Sequence, residues 1–209
     1  MNLIVKKTNP VLNFVVTTVL LMALWFIMSG KTEPKFLILG GASSALISLL
    51  CVRTLTMKGA LTDSTYYLFG VNPVRFIVYI FWLIVQIIKS AVYVSGVTLF
   101  RRDEVKPSIA WFVADYDNPA ARALLANSIT LTPGTITIDI TADGIYSVHA
   151  LTESVREGLL DGSMQAKVAW VYGETINFRV VDDAELPSQR QETEESHTPE
   201  KFRVRRGRA

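Results

Sequence analysis

Apolar and polar positions divide the chain near residue 106. Residues 11–28 (VLNFVVTTVLLMALWFIM) and 36–52 (FLILGGASSALISLLCV) carry no charge. At the rise of an α-helix each spans about 26 Å, near the lower limit for a hydrocarbon core of roughly 30 Å. The connection from Ser29 to Lys35 contains Gly30 and Pro34 and is short enough to force an antiparallel helical hairpin. A third stretch, residues 76–100, is apolar except for Gln86, Lys89 and a few Ser and Thr. The pattern therefore predicts two to three apolar helices over 11–28, 36–52 and 76–100, forming a membrane anchor over 1–106.

From Pro107 the pattern becomes that of a small folded domain, residues 107–181. Residues 107–114 (PSIAWFVA) predict a strand. Asn118 before Pro119 predicts a helix start, with the side chain capping and proline at the first helical position, and the helix runs to about Asn127. Thr132-Pro133-Gly134-Thr135 sets a turn, proline fixing φ and glycine supplying a positive φ. Residues 135–141 (TITIDIT) alternate, placing Ile136, Ile138 and Ile140 on one strand face, and Ala142-Asp143-Gly144 turns the chain into 145–151 (IYSVHAL). A three-residue loop pairs Ile140 with Tyr146, Ile138 with Val148 and Thr137 with His149. Ser154-x-x-Glu157 reads as a capping box that opens a second helix, to about Tyr172, and Ile176, Phe178 and Val180 alternate as a final strand. The order βαββα(β) predicts a ferredoxin-like α+β sandwich. Residues 182–209, rich in charge and poor in apolar side chains, are expected to form a disordered tail.

Composition supports a membrane chain. Of 209 residues 50% are hydrophobic and 19% charged, against roughly 25% charged in an average soluble domain. Residues 1–100 hold eight Lys/Arg and two Asp/Glu, whereas 101–209 hold thirteen and seventeen, so the overall charge of +2 says nothing about nucleic acid. One cysteine, Cys51, excludes a disulfide framework, and two histidines leave no zinc spacing. Lys6 and Lys7 before an apolar run resemble a signal peptide, but the run is too long and no small-x-small cleavage site follows it.

The basic residues bear on topology. If only the first two segments span, Lys6, Lys7, Arg53, Lys58, Arg75, Lys89, Arg101, Arg102 and Lys106 lie inside, against Lys31 and Lys35 outside. The positive-inside rule favours that arrangement, with 76–100 lying in or re-entering the membrane. The length and apolarity of 76–100 favour a true span. Both arrangements stay open at this point, and in both Arg101 and Arg102 make a cytoplasmic stop, which places the C-terminal domain in the cytoplasm.

These features together resemble the MrpE/MnhE/PhaE family, whose members belong to the multisubunit Mrp-type monovalent cation/proton antiporters of bacteria. The resemblance rests on Leu125-Ala126-Asn127-Ser128-Ile129-Thr130-Leu131-Thr132-Pro133-Gly134-Thr135, the strand to Asp139, and Val148-His149-Ala150-Leu151. The apolar hairpin and the long third segment add to it, and it covers roughly residues 12–170; the extension 173–209 and the polar N-terminal residues inherit nothing. It implies a non-catalytic subunit in the bacterial cytoplasmic membrane, partnered by the other antiporter subunits and the lipid bilayer and needing no cofactor. Exchange of Na⁺ or K⁺ for protons, with its part in pH homeostasis, would be the activity of the whole complex. A membrane-tethered adaptor or pH-sensing domain outside any transporter is the alternative.

Candidate chemistry is sparse. The three apolar segments contain no Asp or Glu, and Lys89 is their one ionisable group of the kind that ion translocation at membrane depth requires. It reads either as a lysine facing a partner's polar channel or, more simply, as an ammonium snorkelling to the interface. Gly40, Ser44 and Ser48, with Gly41 and Ala45 alongside, form a small-residue face that lets helices approach closely, against another subunit or against the chain's own neighbour helix. The motif residues Thr130, Thr132, Pro133, Gly134, Thr135, Asp139 and His149 complete the candidate set. Asp139 and Ser147 are expected beside His149 on the polar strand face, where an imidazole near a carboxylate would titrate near neutral pH; a structural hydrogen-bonding histidine is the simpler reading. No phosphate loop, nucleophile set or metal spacing is present.

Overall fold

A computed structural model describes residues 10–51, 54–68 and 70–181. Prolines open both helices of the N-terminal hairpin, α1 (Pro10–Ser29) and α2 (Pro34–Cys51), where a missing N–H costs nothing. Gly30, at φ +59°, ends α1 by donating its N–H to Phe26 O at 3.2 Å. The helices run antiparallel: Ser48 Oγ donates to Phe14 O at 3.0 Å, and further along the Trp25 indole lies against the bare Cα of Gly40.

The sequence reading assigns no element to residues 53–75, but a small antiparallel hairpin forms there. Strands β1 (Thr56–Lys58) and β2 (Thr65–Tyr67) pair Thr56 with Tyr67 and Lys58 with Thr65. At three residues each they are too short to show alternation. Tyr67 reaches back to the membrane hairpin, its hydroxyl donating to Asn13 O at 3.0 Å and touching the Thr17 hydroxyl.

Helix α3 (Pro73–Phe100) starts three residues before its apolar pattern does. Asn72 caps it, accepting from Val74 N at 3.0 Å and Arg75 N at 3.3 Å, with Pro73 in the first turn. The chain then passes a 3₁₀ turn (Arg102–Glu104) into strand β3 (Ser108–Ala114), helix α4 (Pro119–Leu131), strands β4 (Thr135–Ile140) and β5 (Ile145–Ala150), helices α5 (Glu153–Leu160) and α6 (Ser163–Tyr172), and strand β6 (Phe178–Val180). The sheet order β4-β5-β3-β6, antiparallel throughout, is that of the ferredoxin-like sandwich. Phe112 stacks on Tyr146 at 5.0 Å, and both lie in a core with Tyr116, Leu125, Ile129, Val148 and Val168. Tyr79 and Leu83 of α3 belong to the same buried cluster. Hydropathy divides α3 from the domain at residue 106, whereas packing joins them.

Four local expectations are corrected. The register of β4 against β5 keeps Ile140 with Tyr146, but an irregularity between Thr137 and Asp139 shifts the rest, so Thr137 pairs with Val148 and Ile136 with His149. Thr135 and Thr137 therefore turn toward the helices, and Ile136 and Ile138 are 56% and 57% exposed. The threonines are needed inward because both bond the end of α4: Thr135 Oγ1 donates to Ile129 O at 2.6 Å and Thr137 Oγ1 to Ala126 O at 3.1 Å. Second, the helix expected over 154–172 is two helices, broken at Gly162 (φ +76°), where a β-carbon would stand 3.1 Å from the Phe178 ring. Third, its cap is Thr152, whose hydroxyl accepts from Val155 N at 3.3 Å; Ser154 lies inside the first turn. Helix α4 also runs on to Leu131, past the expected end near Asn127, because its threonine-rich C-terminus satisfies its own carbonyls. The expected disordered tail, 182–209, lies outside the described residues.

Candidate functional site

The Thr-Pro-Gly-Thr turn is the point at which α3 meets the domain. Thr132 Oγ1 donates to Ser128 O at 2.9 Å, and Thr135 Oγ1 has both Ile129 O and Thr132 O within 2.9 Å. Thr130 Oγ1 donates to Ala126 O at 2.9 Å and accepts the Thr137 N–H at 3.2 Å, tying α4 to β4. With the carbonyls at the helix end occupied in this way, the turn is rigid, and the Pro133 carbonyl is free to accept Ser90 Oγ of α3 at 2.6 Å. Gly134, at φ +92°, sits where a β-carbon would be 3.1 Å from Val94 of α3 and 3.4 Å from Val155 of α5. The motif is thus a docking turn.

Contacts on both sides of this turn hold α3 along the domain. Near its start, Arg75 donates to Trp170 O at 3.0 Å with its guanidinium 5.4 Å from the Trp170 ring. The buried Tyr79 hydroxyl donates to Ser128 Oγ at 2.6 Å, and Ser128 passes the bond on to Leu124 O at 2.7 Å. Toward its end, Tyr93 lies within 3.4 Å of Glu104 and 3.3 Å of Thr152. The opposite face, including Ile77, Phe81, Val85, Ile88, Val92 and Leu99, is exposed. So α3 has an apolar stripe on either side, one in the domain core and one bare. Between them, against α5 and α6, opens a cavity of about 430 Å³ whose lining includes Lys89 and Asp161.

A second junction, absent from the sequence reading, is built on Asp117. Its carboxylate accepts from Leu61 N and Thr62 N at 2.8 Å each, from Thr62 Oγ1 at 2.5 Å and from the Tyr66 hydroxyl at 2.7 Å, clasping the β1–β2 loop to the domain. Burial alone would raise its pKa, but these bonds together outweigh it and hold the carboxyl below the usual aspartate value. Glu174, whose Oε2 accepts from Asp117 N at 3.2 Å, is pushed up by burial. The signs oppose: the Asp117 contribution to stability is present above the ordinary aspartate value and lost as pH falls through the lowered one. The Glu174 penalty sets in as pH rises from the ordinary glutamate value through its raised one. Asp117→Ala is expected to destabilise the full chain by about 2 kcal/mol, since several bonds to one charged acceptor go together. Protease cleavage within residues 54–68 of the variant should rise in parallel, and a cleavage rate equal to wild type would remove the clasp.

The other candidates fall as follows. Gly40, Ser44 and Ser48 are the buried positions of α2, whereas Gly41 and Ala45 are only partly covered. A β-carbon on Gly41 would find no atom within 4 Å. His149, Ser147 and Asp139 share the sheet face turned away from the helices, with Ile136 in the place expected for Thr137. The ion pairs among the described residues, Lys35–Glu33, Arg101–Glu104 and Arg156–Glu153, do not involve His149 or Lys89. Sequence reasoning also passed over Arg122, 8% exposed, which donates to Tyr116 O and Ala142 O at 2.7 Å each and fastens the β4–β5 turn to α4. Among the described residues no group of His, Cys, Asp and Glu could hold a metal ion.

A two-helix hairpin, a long helix with a bare apolar stripe and a ferredoxin-like domain packed on that helix define an α+β protein of membrane type. Among the described residues, three helices are long and apolar enough to cross a membrane. Residues 18–170 match the family model described as MNHE, Na⁺/H⁺ ion antiporter subunit. A chain of an archaeal respiratory membrane complex, the membrane-bound sulfane sulfur reductase, is similar at 25% identity with a TM-score of 0.54, over 70% of this chain and 96% of that one. No curated protein sequence matches. The chain belongs to the MnhE family of Na⁺/H⁺ antiporter subunits.

Proposed function

We propose that the chain is an accessory subunit of a multisubunit monovalent cation/proton antiporter of the cytoplasmic membrane, outside the ion path and without enzymatic activity. The α1–α2 hairpin anchors it, α3 lies in the cytoplasmic interface with its bare stripe in lipid, and the ferredoxin-like domain faces the cytoplasm against the other subunits. One observation carries this reading: polar side chains of the hairpin are buried in its own seam. With Gly40, the buried positions are Asn13, Thr17, Ser44 and Ser48, and two of these hydroxyls are already bonded, Ser48 to Phe14 O and Thr17 to Asn13 O. An ion path needs such oxygens free at membrane depth.

Two features support this position of α3. It is held on the domain from Arg75 to Tyr93, and a helix so held would carry the domain toward the hydrocarbon core if it crossed. Lying in the interface also satisfies the positive-inside rule, since it leaves Lys31 and Lys35 outside and the remaining flanking basic residues inside. Which of Na⁺ and K⁺ is exchanged is a property of the partners.

The test is purification of the tagged full chain in mild detergent, followed by transport assays on vesicles. Several large polytopic subunits should co-purify, and a Ser44→Ala/Ser48→Ala variant should exchange cations for protons at the wild-type rate per assembled complex. Reporter fusions after residues 106 and 181 should both read cytoplasmic. Purification alone, without partners, would favour a free-standing adaptor. Abolished transport by a fully assembled double variant would put the hairpin on the ion path.

A further inference from the structure

We propose that the cavity beneath α3 is a site for the headgroup of a zwitterionic phospholipid of the phosphoethanolamine type, and this rests on the interfacial position of α3 given above. Trp82, Gln86, Lys89 and Tyr93 line one side of the cavity. Their spacings of four, three and four residues place them in a single row along the helix. Each directly follows a residue of the bare stripe (Phe81, Val85, Ile88 and Val92), so the two rows run side by side. A helix embedded to the depth of its apolar stripe brings the neighbouring row to the level of the lipid headgroups. Tryptophan, tyrosine and a long-stemmed lysine are the side chains suited to that level.

The far wall supplies the second half of the site. It comes from the α5–α6 region of the domain and includes Ser154, Asp161 and Ser163. Lys89 and Asp161 are the charged residues of the lining, so the formal charge of the site is zero. A phosphate diester with a primary ammonium matches that pair: the phosphate oxygens face the Lys89 ammonium and the headgroup ammonium faces the Asp161 carboxylate. An anionic headgroup without an ammonium would satisfy Lys89 and meet repulsion at Asp161. Lys89 has no ion-pair partner among the described residues, and the volume of about 430 Å³ lies within the usual range of small-ligand sites. The acyl chains would follow the Phe81–Val92 stripe into the bilayer. This gives the one lysine of the third apolar segment a role in lipid binding.

The experiment is native mass spectrometry of the full-length chain in detergent, titrated separately with phosphatidylethanolamine and phosphatidylglycerol. Wild type should retain the ethanolamine lipid at least fivefold better than the glycerol lipid. Lys89→Met should lower ethanolamine-lipid retention at least fivefold, Lys89→Arg should restore most of it, and Asp161→Asn should erase the preference between the two lipids. The Lys89→Arg arm separates a lost contact from a misfolded variant. Equal retention of the two lipids by wild type, or wild-type retention by Lys89→Met, would overturn the proposal. So would a Lys89→Met chain that keeps the lipid but loses a partner subunit on purification, which would make Lys89 a protein contact. The position of α3 is read separately, by collisional quenching of a fluorophore on Val85→Cys or Val92→Cys in a Cys51→Ala background. Lipid-embedded probes with no headgroup preference sink this inference alone, and water-exposed probes sink the reading beneath it.

Discussion

Gly134→Val is expected to destabilise the full chain by about 2–4 kcal/mol, the larger part arising from overpacking and the rest from backbone strain. Gly134 holds φ +92°, a region that a β-branched residue occupies only under strain. Its missing side chain is also the space into which Val94 and Val155 pack, at 3.1 and 3.4 Å from where a β-carbon would lie. Because α3, β4 and α5 meet there, the substitution should loosen α3 as well as lower overall stability. Amide exchange in residues 86–97 should therefore accelerate in a variant whose β3–β5 pairing stays protected. The thermal midpoint in detergent measures the first effect, and hydrogen exchange measures the second. Gly96→Ala provides the opposite sign: the nearest neighbour of a β-carbon there is Arg101 at 3.7 Å, and alanine in a helix interior gains about 0.5–1 kcal/mol over glycine. A wild-type midpoint for Gly134→Val would end the account of this turn as a docking point.

Gly40→Leu should force α1 and α2 apart, and Gly41→Leu should not. At position 40 even a β-carbon would overlap the Trp25 indole. The helices must therefore separate or Trp25 must leave the seam. Either outcome loses the close approach on which helix association in lipid depends. Crosslinking between cysteines at positions 14 and 48, placed in a Cys51→Ala background, should fall several-fold in Gly40→Leu and remain at the wild-type level in Gly41→Leu. The pair also separates the two readings of the small-residue face. Gly40, Ser44 and Ser48 serve the hairpin itself, so a loss of partner subunits on Gly41→Leu would locate a contact with another chain on the adjacent side. Unchanged partner recovery would leave that side to lipid. Full crosslinking in Gly40→Leu would refute the close packing.

Some elements were legible because they follow from a few neighbouring residues. Asn118-Pro119 predicted its helix start correctly, and Asn72-Pro73 carries the same signal for α3, where the apolar pattern drew attention three residues downstream instead. The hairpin, the Ala142–Gly144 turn and the βαββα(β) order were likewise readable, as each depends on apolar runs and turn residues. The inward face of β4 was not. Alternation marks two faces without saying which is buried, and the sequence reading set Ile136, Ile138 and Ile140 on one face and Thr137, beside His149, on the polar one. The structure reverses this for Ile136 and Ile138, since the end of α4 needs the hydroxyls of Thr135 and Thr137 beneath it. Asp117 escaped notice for a related reason: its four donors lie more than fifty residues away in the chain, and nothing local distinguishes it from the neighbouring Asp115.

The sequence by itself determined that this protein has a hairpin fit for a bilayer, a ferredoxin-like domain behind it, and a turn at Thr132–Thr135, because backbone preference and hydropathy are properties of short segments. Only the tertiary structure decided what the third apolar helix packs against. Lipid and a protein core favour the same side chains, so residues 76–100 read alike whether they meet one or the other, or one on each side. The arrangement of Tyr79 and Leu83 in the core, Phe81 and Val85 bare, and Lys89 on the boundary between them is set by where the domain docks, and docking depends on contacts between residues distant in the chain.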